Sequence, residues 1–250
     1  MREQPEQQAP PVQRLRVRYA KRGRLRFTSH RDFSRAFERA ISRARVPMAY
    51  SSGFNPHPRI SYAGASPTGA ASEAEYLEIG LAQVREPAEV ARALDESLPT
   101  GLDILEVVVS AGGSLADQLE ASLWEITVAG VDEDTLRDGV GQLLAVPEVM
   151  VERMTKKGLR TFDARASIAH LEVRGPGEST ATGGSCAILQ VVLRHGTPSV
   201  RPDDVLAALR EISGISSSSV ALAQRLAQGP LDERTGTVGD PLALDRDAAG

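Results

Sequence analysis

The first hundred residues alternate between two hydrophobic periods. Residues 14–19 read Arg-Leu-Arg-Val-Arg-Tyr, which puts Leu15, Val17 and Tyr19 on one face at strand spacing. Lys21-Arg22-Gly23 breaks the run and residues 25–27 resume it. Ser29 stands where a helix N-cap belongs, with Asp32 completing an approximate capping box. Phe33, Phe37, Ala40, Ile41 and Ala44 then recur at helical spacing until Pro47 stops the helix. Residues 51–58, Ser-Ser-Gly-Phe-Asn-Pro-His-Pro, carry loop signals throughout. Short strands are expected over residues 60–63 and 75–81, flanking a small-residue loop at 64–72. A helix over 87–97 ends before Pro99 and Gly101, and residues 102–109 form a strong strand pattern. The order is strand, helix, strand, strand, helix, strand. That is the ferredoxin-like pattern, with both helices on one face of a four-stranded sheet.

After Gly112-Gly113-Ser114 a similar order begins again. Residues 123–128 predict a strand, 132–144 a helix and 148–155 a strand, followed by the basic turn Lys156-Lys157-Gly158. Residues 166–173 read as extended, 186–194 as a strand, 201–212 as a helix opened by Pro202, and 220–226 as a last strand. The expected fold class is α+β, built as two tandem ferredoxin-like (βαββαβ-type) units. The expected boundaries are a disordered tail at 1–11, a basic domain at 12–111 and a second domain at 115–228. The second domain contains a flexible Gly/Ser/Thr loop at 175–185, and an Asp/Gly/Pro/Ala-rich tail at 229–250 is expected to be disordered.

Composition narrows the class. In a chain of 250 residues, aromatics are scarce, so the core must be mostly Leu, Val, Ile and Ala. The longest apolar runs, such as 104–109, are far too short to span a bilayer. Residues 1–11 are polar and Gln/Pro-rich, unlike a signal peptide. The single cysteine, Cys186, rules out an internal disulfide or a multi-cysteine metal site from this chain alone. These features imply a cytoplasmic protein with no membrane partner.

Charge changes the picture most. Residues 12–60 hold 13 Lys+Arg and only two acids, Asp32 and Glu38, so this window carries +11 in a chain of net charge −4. Six of the ten aromatics (Tyr19, Phe27, Phe33, Phe37, Tyr50 and Phe54) fall in the same window. Opposite the apolar stripe of the first helix, Arg31, Arg35, Arg39 and Arg43 repeat at intervals of four. Cations at that spacing repel one another, and guanidinium suits planar, bidentate recognition of phosphate. Such a row fits an outside polyanion, RNA first and an acidic protein second. The competing reading is that acids elsewhere in the chain neutralise it.

Phe33 and Phe37 lie on the apolar stripe and are expected in the core, whereas Phe54, between Gly53 and Asn55, is a candidate for stacking on bases. His30 and His57 are weak candidates for general acid–base catalysis of RNA cleavage, against a plain capping or packing role. Glu73, Glu75 and Glu78 make an acidic patch that could hold a metal, but is expected to be solvated or paired with nearby arginines. The sequence has no HExxH, Walker loop, Rossmann glycine pattern or nucleophile elbow.

Residues 25–32 (Leu-Arg-Phe-Thr-Ser-His-Arg-Asp), 35–40, 49–61 (Ala-Tyr-Ser-Ser-Gly-Phe-Asn-Pro-His-Pro-Arg-Ile-Ser) and 72–78 (Ser-Glu-Ala-Glu-Tyr-Leu-Glu) resemble the radical SAM-linked, or radical SAM-associated, protein family. The match is dense over about residues 12–110 and looser beyond, through Lys157-Gly158 and Phe162-Asp163-Ala164-Arg165. Members occur fused behind a radical SAM enzyme or encoded beside one, so the resemblance implies a partner rather than a reaction. This chain lacks CxxxCxxC and is short, which fits the stand-alone form. The iron–sulfur cluster and S-adenosylmethionine are then expected on the partner, with no cofactor or metal bound by this chain alone.

The resulting expectation is an accessory substrate-binding protein for RNA, acting with a separate radical SAM enzyme. Arg26, His30, Arg31, Arg35, Arg39, Arg43, Phe54, Asn55, His57 and Arg59 are the candidate RNA- or partner-binding residues. Two other classes stay open: a metal-independent ribonuclease or RNA-processing enzyme using His30 or His57, and a scaffold whose basic face docks the partner enzyme.

Overall fold

The computed structural model describes residues 7–155, 158–177, 185–217 and 221–248. The chain divides into two compact units, Met1–Gln118 with Asp240–Gly250, and Leu119–Gly239. Each unit is α+β with ferredoxin-like strand order.

In the first unit, β1 (Gln13–Lys21) leads through a 3-10 turn (Gly23–Phe27) into α1 (His30–Arg43). Then come β2 (Ile60–Ala63), β3 (Ala71–Leu81), α2 (Pro87–Asp95) and β4 (Leu102–Val109). The sheet runs β4-β1-β3, with β2 on the outer side of β3, and every pair is antiparallel. Leu15, Val17 and Tyr19 face α1, as their alternation requires, and pack with Phe33, Phe37, Ile41, Leu77 and Ile79. The Tyr19 and Phe33 rings stack at 4.4 Å, and Phe37 continues the ladder at 5.7 Å from Phe33. Helix α1 starts where Ser29 accepts the Asp32 N–H at 3.2 Å. It ends at Ala44, where Arg45 takes φ 53° and the Val46 N–H reaches back to the Ile41 carbonyl at 3.2 Å.

Residues 25–27 do not resume the strand. Gly23 takes φ 53°, and the Leu25 and Thr28 N–H groups bond back to the Arg22 and Leu25 carbonyls at 3.0 and 2.9 Å, winding a turn instead. The chain therefore climbs off the sheet before α1, and Phe27 ends up 60% exposed.

The second unit runs β5 (Ala121–Ala129), α3 (Glu133–Ala145), β6 (Met150–Thr155), β7 (Gly158–Asp163), β8 (Ile168–Pro176), β9 (Cys186–Arg194), α4 (Pro202–Ser213) and β10 (Leu222–Gly229). Its sheet order, β10-β5-β9-β8, is again ferredoxin-like. The strand expected over 148–155 does not join that sheet. It pairs with the unforeseen β7 as a separate hairpin inserted between α3 and β8.

The tail expected to be disordered is ordered over residues 229–248. β11 (Leu231–Asp232) pairs with β12 (Thr237–Val238) in the second unit. The chain then returns to the first unit as α5 (Ala243–Asp247). Polar composition suggested a tail, but Leu242 and Asp245 are fully buried there and Asp245 meets Arg16. Residues 7–11 have no regular structure, with the Gln8 N–H donating to Ser52 Oγ at 2.9 Å. The expected disorder at 1–6 and flexibility at 178–184 lie outside the described residues.

A histidine whose ring is held by two hydrogen bonds in a part-buried setting makes the second unit sensitive to pH. The His195 ring donates from Nδ1 to the Leu119 carbonyl at 2.6 Å and so accepts from the Ser122 hydroxyl at Nε2, 2.5 Å away. Burial pushes this ring below its ordinary value of 6.5, and Arg225 adds to the shift against the opposing Leu119 hydrogen bond. A depressed folded value means that the unfolded chain binds the proton first. The stability His195 contributes is therefore complete above about pH 6.5 and declines as pH falls below it. Thermal melts between about pH 7.5 and 5.5 should show this decline, and His195→Gln should flatten it. Parallel pH profiles for the two proteins would contradict it.

Candidate nucleic-acid interface

The basic window separates into two populations. The arginines of β1 and the following turn are used internally. Arg14 and Arg16 pair with Glu78 at 3.3 Å, and Arg16 also grips Asp245 at 2.9 Å. Arg18 donates to the Glu73 carbonyl at 2.9 Å, while Arg22 clamps Glu73 and also pairs with Asp103 at 2.8 Å. The acidic patch is thereby resolved: Glu73 and Glu78 answer arginines, and buried Glu75 accepts the Ser66 N–H at 3.1 Å. Among the described residues, no group of three or more His, Cys, Asp or Glu could hold a metal ion.

The arginines of α1 are the second population. Arg31, Arg35, Arg39 and Arg43 all lie on the exposed side of the helix, because Phe33, Phe37, Ala40 and Ile41 turn the other side into the core. Arg43 donates to the Ser97 carbonyl. Among the described residues, Arg31, Arg35 and Arg39 form no ion pair, although Asp32 and Glu38 share their helix. Their Cα positions repeat about every 6 Å along the axis.

The remaining candidates do not form one surface with this row. Arg59 stands opposite Gly80, and Ser61 opposite Glu78, so both point to the sheet face away from α1. There His57, Pro58, Arg59 and Ser61 line a groove of about 300 Å³ with Arg14 and Glu78. Arg59 Nε donates to the Tyr50 carbonyl at 3.1 Å, and the His57 backbone N–H donates to Ser51 Oγ at 3.0 Å. Phe54 and Asn55 stand exposed in the loop that precedes His57, with Phe54 68% accessible. His30 lies on the other side of the sheet. Its ring meets Tyr62 edge-on at 4.9 Å, and Tyr62 pairs with Leu77 on the α1 side. Burial raises the Tyr62 hydroxyl above its ordinary value. Among the described residues, neither histidine ring hydrogen-bonds to a protein group. The two therefore share no acid–base arrangement.

Arg26 lies half-buried in the 3-10 turn that precedes α1, with its guanidinium 4.8 Å from the Phe27 ring centroid. Sequence periodicity placed Phe27 on a strand and so missed it as an exposed aromatic. Glu96 was missed as well: a solvent-facing carboxylate just after α2, it lines a groove with Arg39 and Arg43.

Residues 14–202 match the model of the family DUF2344, described as an uncharacterized protein conserved in bacteria. The chain belongs to this family. The match begins in β1 of the DUF2344 chain and ends at the start of α4, so it takes in all of the α1 row. No curated protein matches the sequence. Among solved structures, the chain is similar to the first two RRM domains of yeast poly(U)-binding protein Pub1, at 14% identity. That similarity covers 85% of this chain and 98% of the other, with a TM-score of 0.21. A score so low carries no weight for function, and the ferredoxin-like assignment of this DUF2344 protein rests on its strand order. No helix among the described residues is long and apolar enough to cross a membrane.

Proposed function

We propose that this DUF2344 protein is an RNA-binding accessory protein whose contact surface is the outer face of α1. The observation that carries the reading is the run of Arg31, Arg35 and Arg39, which form no ion pair among the described residues, in a unit where Arg14, Arg16 and Arg22 are matched by acids. Three aligned guanidinium groups that form no ion pair repel one another, so an external polyanion lowers their energy. Their spacing is comparable with that of successive phosphates on one strand, and phosphate contacts position a nucleic acid without reading its sequence. Arg26 and Phe27, in the turn before α1, add a cation and an exposed ring suited to base stacking. Histidine-dependent cleavage has less support, because His30 and His57 lie on opposite sides of the sheet.

The partner is a separate radical SAM enzyme. The motif resemblance in residues 25–61 and 72–78 supports that part of the reading. The enzyme would supply the iron–sulfur cluster, S-adenosylmethionine and chemistry, and this chain affinity and register.

Fluorescence anisotropy with single-stranded RNA at several salt concentrations tests the RNA contact. Three phosphates neutralised by Arg31, Arg35 and Arg39 should give a log–log slope of about −2. A slope near zero, or no binding at low salt, would leave α1 as a protein-docking face, to be tested by pull-down of the radical SAM partner.

A further inference from the structure

The C-terminal half of the α1 row forms one wall of a groove of about 440 Å³. Ala36, Arg39 and Arg43 line that wall, and Glu96, Ser97, Leu98 and Pro99, between α2 and β4, line the other. Arg43 bridges the walls by donating to the Ser97 carbonyl. Among the described residues, Glu96 and Arg39, both exposed, form no ion pair with each other or with any other group. The groove thus presents a cation and an acceptor-only carboxylate on its two walls, with Ala36, Leu98 and Pro99 as apolar lining between them.

A simple anion does not suit this arrangement, because Glu96 would repel it. A suitable ligand carries negative charge for Arg39, a flat apolar body for the Ala36, Leu98 and Pro99 lining and a hydrogen-bond donor for Glu96. A nucleotide has all three. We infer that this groove holds one base of the bound single strand, with its phosphate on Arg39 and its exocyclic amino group donating to Glu96. The inference rests on the RNA reading of α1 and adds base preference to it. Carboxylates accept from amino groups on base edges, as with the cytosine N4 amine. Uracil presents its single N–H between two carbonyl oxygens that the carboxylate repels, so it is the disfavoured base.

The test compares oligo(C) with oligo(U) of equal length, which differ at the base edge but not in backbone charge. The wild-type protein should bind oligo(C) about tenfold more tightly. Glu96→Gln should bring the ratio close to one, because the amide can donate to the uracil O4 while keeping the shape of the side chain. Arg31→Glu with Arg35→Glu should weaken both oligonucleotides together and leave the ratio intact. Glu96 is exposed, and unchanged circular dichroism would confirm that its variant folds. Equal wild-type affinities, or a ratio that Glu96→Gln leaves unchanged, would overturn the base site while sparing the phosphate row. Failure of both oligonucleotides to bind at low salt would overturn the RNA reading and the base site with it.

Discussion

Asp245→Ala should destabilise the first unit by about 3–5 kcal/mol, the scale for removing one partner of a buried ion pair. Arg16 and Asp245 are 3% and 0% exposed, in a bidentate contact with both oxygens 2.9 Å from Nη1. The pair is embedded in a satisfied network. Asp245 also accepts the Ala111 N–H at 2.8 Å, and Arg16 Nη2 donates to the Gly112 and Gly113 carbonyls at 2.6 and 3.0 Å. Removing the carboxylate would leave a buried guanidinium with Glu78, at 3.3 Å, as its one remaining counter-charge among the described residues. Asp245→Asn keeps the shape and an acceptor, so its loss should be smaller. Arg246→Ala is the surface control: its pairs with Glu106 and Asp240 are partly exposed, and its loss should stay within about 1 kcal/mol. Urea unfolding followed by circular dichroism reads all three. If Asp245→Ala unfolded at the wild-type midpoint, α5 could not be the element that anchors the returning chain.

This pair also shows where sequence reasoning stops. Arg16 and Asp245 are 229 positions apart, and no local pattern announces that a Pro- and Asp-rich tail ends in a helix whose aspartate is buried. Local signals succeeded where one period governs a whole element. Leu15, Val17 and Tyr19 at strand spacing, and Phe33, Phe37 and Ile41 at helical spacing, all face the core as expected. They failed where one backbone torsion overrides the pattern. Leu25 and Phe27 alternate like a strand, but Gly23 at φ 53° winds them into a turn. The inserted β6–β7 hairpin escaped for a related reason: one short extended run, split by a basic turn, looks the same whether it joins the main sheet or pairs with itself.

The candidate site was legible in the same partial way. Helical spacing alone puts Arg31, Arg35, Arg39 and Arg43 in one line, so the row could be read directly. Which arginines stay unpaired could not, because Glu73, Glu78, Asp103 and Asp245 reach the β1 side through tertiary contacts. The placement of His57 and Arg59 depends on register. One residue's slip of β2 along β3 would turn Arg59 to the α1 side. The observed pairing of Ile60 with Ile79 fixes it on the other face, so a single basic surface in sequence becomes two in the fold.

The charge-reversal variant Arg31→Glu/Arg35→Glu/Arg39→Glu should lower affinity for single-stranded RNA by about 100-fold or more at roughly 0.1 M salt. Losing three counterion-releasing contacts accounts for about two orders of magnitude, before any repulsion from the new carboxylates. The fold should tolerate the change: all three side chains are exposed and carry no ion pair among the described residues, and surface substitutions of this kind cost little. The salt slope should collapse together with the affinity, since both come from the same phosphates. Arg14→Glu offers a contrast from the sheet face. It breaks the ion pair with Glu78 but leaves the row intact, so its RNA affinity should stay close to wild type. If Arg14→Glu weakened binding as much as the triple variant, the relevant surface would be the His57–Arg59 groove. If neither variant weakened it, the arginine row would not be the RNA contact, because exposed, unpaired guanidinium groups that touch phosphate cannot be reversed in charge without loss of affinity.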